Sequence, residues 1–157
     1  MSMIGELRQV PVTLFPALHD KATRERVATT LMASDGTSLD KLWNALAFVL
    51  ERACGEDPIG AVGDPLHGVD TGYGPPLLLT AEDVRGVAAA LAEVDDDAVR
   101  AAYDPDGMAD DELYCQPGPG EAERAAYLDE LLVLVRAVRA FFADAAARGH
   151  GVLNYLT

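Results

Sequence analysis

The sequence predicts one α+β domain over residues 1–157, mostly helical, with a small sheet built from terminal strands and a long C-terminal helix. Three observations carry this. Residues 122–147 hold Leu128, Leu131, Leu132, Val135, Val138, Phe142 and Ala145 at helical spacing, enough for one helix of about 40 Å. Short apolar segments stand at both ends of the chain, residues 3–10 with Ile4, Leu7 and Val10, and residues 152–156. A chain of 157 residues also buries about 68–70% of its unfolded surface, so a sizeable core is expected.

In order along the chain, the first strand ends where Pro11 and Pro16 interrupt it. A helix follows over residues 21–32, with Val27 and Leu31 four apart, and Ser34-Asp35-Gly36 closes it. Leu39, Leu42, Trp43, Leu46, Val49 and Leu50 then form one helical stripe, with Ser38 as its cap and Gly55 as its stop. Residues 55–76 contain six glycines and four prolines, too many breakers for a helix of normal length, and predict a loop with short extended pieces. Leu77-Leu78-Leu79 reads as a short strand. Thr80 and Asp83 have the spacing of a capping box, and Val84, Val87, Ala88, Leu91 and Val94 continue as a helical face. The Asp95-Asp96-Asp97 triplet ends that helix and caps another reaching about Tyr103, because carboxylates favour the positive end of a helix. Gln116-Pro117-Gly118-Pro119-Gly120 makes a clear break before the long helix, and Gly149 and Gly151 stop it ahead of the last strand.

Acidic residues outnumber basic ones 26 to 12, for a net charge of −14, which argues against nucleic acid or an anionic membrane as partner. The charge is regional: residues 55–130 hold nineteen acids and three bases, while residues 1–54 are balanced and residues 131–157 slightly positive. A contiguous negative face is expected from that middle segment. The longest apolar runs are six residues, far short of a membrane span, and the first eight residues carry both charge signs with no signal-like apolar run. A cytoplasmic location is expected. Ten arginines against two lysines, with abundant alanine, suggest a GC-rich bacterial genome. Cys54 and Cys115 stand 61 positions apart without a CxxC motif, which favours two free thiols over a bridge.

No complete catalytic constellation is present, and no catalytic residue, metal ligand or cofactor is predicted. His19, His67 and His150 are isolated in sequence and read as surface or loop residues. Asp104-Pro105-Asp106-Gly107 brings its glycine at position 4 of the run, where a calcium loop needs it at 6, so capped turns on a solvated acidic face explain it better. The 55–74 stretch lacks GK[ST] and does not form GxGxxG. Gly72-Tyr73-Gly74-Pro75-Pro76 has two readings, a tight turn packed by tyrosine or an aromatic lining a pocket mouth. Trp43 lies on the apolar stripe as a core anchor whose indole N–H needs a partner.

Met3-Ile4-Gly5, Leu39-Asp40-Lys41-Leu42-Trp43, Gly72-Tyr73-Gly74-Pro75 leading to Leu79-Thr80, Met108 followed by Glu112-Leu113-Tyr114, and a long last helix ending in a strand occur in this order. In that order and spacing the chain resembles the YfbM-like family over nearly its whole length. It departs from the family's pattern at Tyr103-Asp104-Pro105, where phenylalanine would be common, and at Cys115, where proline is frequent. The resemblance implies a small α+β fold and a bacterial cytoplasmic protein, and implies no activity or catalytic residues.

Two functions remain open. One is a binding protein whose acidic surface captures a basic protein partner, for instance as an immunity-type inhibitor. The other is a small-molecule-binding protein or unrecognised enzyme with a pocket between the Trp43 helix and the 72–76 loop, where Asp40, Trp43, His67 and Tyr73 are the candidate lining residues. The oligomeric state is not readable from the sequence.

Overall fold

The computed structural model describes residues 2–157. The two ends of the chain pair with each other: β1 (Gly5–Val10) runs antiparallel to β5 (Gly151–Leu156), with Gly5 opposite Leu156 and Val10 opposite Gly151. Each strand alternates its side chains between two faces, and each has apolar residues on both, so a pair of strands at the centre of a sheet can support two helical layers. The remaining strands are β2 (Thr37–Asp40), β3 (Asp64–Pro65) and β4 (Leu77–Leu79), and the order across the antiparallel sheet is β2-β1-β5-β4-β3. Pro65 sits on the edge strand, where its missing N–H is tolerated.

On one face Val10, Leu78, Leu153 and Tyr155 pack with Leu18 of α1 (Phe15–His19) and Ala28 and Leu31 of α2 (Arg24–Met32). On the other, Leu7, Leu79 and Val152 meet α3 (Trp43–Cys54), α4 (Ala81–Ala92), α5 (Asp96–Ala102), α6 (Pro105–Asp110) and α7 (Glu121–Ala147). The sheet is thus the middle of three layers, and α7 crosses the larger one with Leu131, Val138 and Phe142 fully buried.

Most expected elements are present, with their reasons visible. Thr80 Oγ1 accepts from the Asp83 N–H and the Asp83 carboxylate accepts from the Thr80 N–H, so the capping box opens α4 as predicted. Asp95 caps α5 by accepting from the Ala98 N–H. Gly55 ends α3 with φ +87°, a left-handed conformation suited to glycine. Asp104 caps the short α6 through the Gly107 N–H, which is the structural role of that acidic run, although a helix there was not anticipated.

Two boundaries differ from expectation. Residues 21–23 form a turn and α2 begins at Arg24. More consequentially, Ser38 does not cap a helix: residues 37–40 form β2, and α3 begins only at Trp43. Glu6 pairs with Ser38 but Gly5 with Asp40, so Leu39 is the extra residue of a bulge and turns into the core, 5% exposed. A leucine at helical spacing from Leu42 and Leu46 therefore serves the core from a strand.

Candidate functional site

A cavity of about 370 Å³ lies where α3, the strand ends near Gly5 and Asn154, and the loops 57–60 and 73–75 converge. Leu39, Trp43, Leu46 and Leu77 supply apolar wall, and Asp57 and Asn154 supply polar side chains. No Lys, Arg or His lines it among the described residues.

Each contributor is held for an identifiable reason. Trp43 sits at the first turn of α3, directly above Gly5, so β1 and α3 approach closely only because Gly5 has no Cβ. Tyr73 stands at the tip of a turn in which the Thr71 hydroxyl donates to the Gly74 carbonyl at 3.0 Å and the Gly72 N–H donates to Asp70 at 2.9 Å. Gly72 at φ +91° and Gly74 at φ +102° allow that turn, and Tyr73 remains 40% exposed at the cavity wall. The turn and the pocket-mouth readings of this loop are therefore compatible.

Asp57 lies just past α3, and its Oδ1 accepts from the Ile59 N–H at 3.0 Å while the Gly60 N–H also donates to the carboxylate. Burial pushes this carboxyl above its ordinary range, against the lowering effect of those two N–H groups, and nearby Glu51 adds to the rise. The Cys54 thiol is likewise raised, by burial and then by Asp57. Asn154 occupies the central strand opposite both Leu7 and Leu77, on the same face as Val152, where an apolar side chain would be expected. Sequence reasoning named neither Asp57 nor Asn154. The polar residue within the otherwise apolar 152–156 strand was the available signal for Asn154.

Of the four candidate residues, Trp43 and Tyr73 line the cavity and Asp40 and His67 do not. Asp40 is an exposed turn residue with φ +46° that ends β2 opposite Gly5. His67 is exposed over a separate surface groove shared with Asp70 and Gly72, and its carbonyl accepts from Arg24. Trp43 stacks on Tyr114 with ring centres 6.1 Å apart, and its indole Nε1 is buried with no hydrogen-bond partner among the described residues. An unmet buried donor of this kind costs about 1–3 kcal/mol.

Among the described residues, no three His, Cys, Asp or Glu side chains gather into a metal-holding group. Cys54 and Cys115 are both free. No helix is long and apolar enough to cross a membrane among the described residues.

A family profile described as "Domain of unknown function (DUF1877)" matches residues 1–155. The chain belongs to the DUF1877 family. The solved structure of YfbM from Escherichia coli, a protein of unknown function, superposes on this DUF1877 chain with a TM-score of 0.70 at 16% identity, covering 98% of this chain and 99% of that one. This is the α+β fold expected from the resemblance, and at that identity the likeness concerns the fold alone. Comparison with curated proteins returned no match.

Proposed function

We propose that this chain binds a small, largely apolar molecule in the cavity beside Trp43. The observation that carries the reading is the cavity itself: at about 370 Å³ it falls within the range of small-ligand pockets, with apolar walls and two polar side chains to orient an occupant. No nucleophile paired with a base lines it, so the reading is binding without an assigned reaction. Ala47 is part of the wall, and Ala47→Phe fills the space from a helix without removing a polar group. The chain has one tryptophan, so its fluorescence reports on this site alone. A panel of small aromatic and alicyclic compounds is expected to shift Trp43 emission in the wild type and not in Ala47→Phe. Equal responses in the two proteins reject the reading.

A second reading is capture of a basic protein partner. What supports it is charge: fifteen carboxylates occur between Glu82 and Glu130, on the helices and turns of the larger layer, and no charged residue is buried. Its test is affinity capture at low and moderate salt beside an Asp110→Lys, Asp111→Lys variant. A captured basic protein lost with the variant supports it, and recovery unaffected by charge reversal rejects it.

A further inference from the structure

Resting on the ligand-binding reading above, we infer that the cavity selects an organic cation, an amine carried on an apolar or aromatic body, with Asp57 as its anionic anchor. Asp57 is the single carboxylate in a wall that contains no basic side chain among the described residues, so the potential inside is negative. Its two hydrogen bonds come from backbone N–H groups of its own turn, Ile59 and Gly60. An ionised carboxylate offers about four lone-pair sites, so capacity remains for a donor in the cavity. The carboxylate is also partly stripped of water with no cation beside it, the condition in which an ammonium ligand recovers the most electrostatic energy.

The aromatic residues point to the same class. Trp43 and Tyr73 both contribute to the wall, and the faces of such rings attract ammonium groups while tolerating the hydrocarbon that carries them. Asn154, polar where its neighbours across the sheet are Leu7 and Leu77, adds a hydrogen-bonding group on the cavity floor. An anionic ligand would meet Asp57 with no compensating positive side chain, and an overall charge of −14 opposes its approach as well.

The full-length chain is titrated at neutral pH with phenethylamine, 2-phenylethanol and phenylacetate, which share size and ring and differ in charge, with Trp43 fluorescence as readout. Phenethylamine is expected to bind about tenfold more tightly than 2-phenylethanol, the gain of one charge-assisted contact, and phenylacetate the most weakly. Asp57→Asn is expected to bring amine and alcohol to within about twofold of each other. Asp57→Ser, which keeps an oxygen for the Ile59 N–H, tests the same point if the asparagine variant folds poorly. Equal binding of amine and alcohol by the wild type, or a preference that survives both substitutions, overturns the role of Asp57 and leaves the cavity as a neutral-ligand site. Absence of binding by all three overturns the ligand-binding reading together with this inference.

Discussion

A Cβ placed on Gly5 would lie 2.6 Å from the Trp43 Cβ and 3.0 Å from that of Leu39. Gly5 therefore sets the distance between the first strand and α3, and Trp43 and Leu39 are both cavity wall. Neither obstructing atom is the far end of a flexible side chain, so a methyl group must push α3 away from β1. Gly5→Ala is expected to lower stability by about 1–3 kcal/mol, the range for overpacking a filled site. The midpoint of urea unfolding measures the loss, and Trp43 emission before unfolding should differ from wild type. An unchanged midpoint would mean that the β1–α3 spacing is not tight.

Thr80→Ala removes the hydroxyl that accepts from the Asp83 N–H while leaving Asp83 in place. A helix N-terminus carries N–H groups with no intrahelical partner, and loss of one such cap costs about 0.5–2 kcal/mol. Thr80→Ser keeps the acceptor and should recover most of the difference in the same unfolding experiment. Comparable losses in the two variants would assign the effect to the threonine methyl instead.

Local signals with a one-residue mechanism were readable from sequence: the Thr80–Asp83 box, the Asp95 cap, the Gly55 stop and the 116–120 break all occur as expected. Their chemistry is complete within a few residues, so no tertiary knowledge is needed. The β2 segment was misread for the opposite reason. Leu39 continues the spacing of the α3 stripe, but the backbone groups of residues 37–40 are claimed by β1, some thirty residues away, and that pairing overrides local periodicity. Asp57 escaped notice because it sits in a breaker-rich loop without a motif around it. Its relation to Trp43 exists only after Gly55 reverses the chain beside α3. Trp43 and Tyr73 were accessible because an aromatic on a stripe and an aromatic between glycines each stand out alone.

Two aspartates should give stability a pH dependence of opposite sign. Asp57 is raised in the folded state by burial, so its contribution is fully present below its ordinary value of 3.8 and is lost as pH rises through the folded-state value. Asp96 is lowered by its hydrogen bond to Arg136, so its contribution is present above 3.8 and is lost as pH falls through the folded-state value. Relative to wild type, Asp57→Asn should gain in unfolding midpoint as pH rises above about 3.8, whereas Asp96→Asn should lose. Parallel profiles for the two variants would contradict these environments.

The register of α7 provides the last prediction. Phe142 is fully buried and packs edge-on against Phe141, whereas Val133 on the same helix is 62% exposed. The buried set includes Tyr127 and Leu134 as well as the residues of the sequence stripe, because the helix is flanked by α3, α4 and α5 and touches the sheet. A helix enclosed over so wide an arc has few positions where truncation is harmless. Phe142→Ala should cost about 3–5 kcal/mol by lost burial and the cavity left behind, and Val133→Ala should fall within about 0.5 kcal/mol of wild type. Measured by urea unfolding, similar costs at the two positions would show that α7 is rotated from the register described.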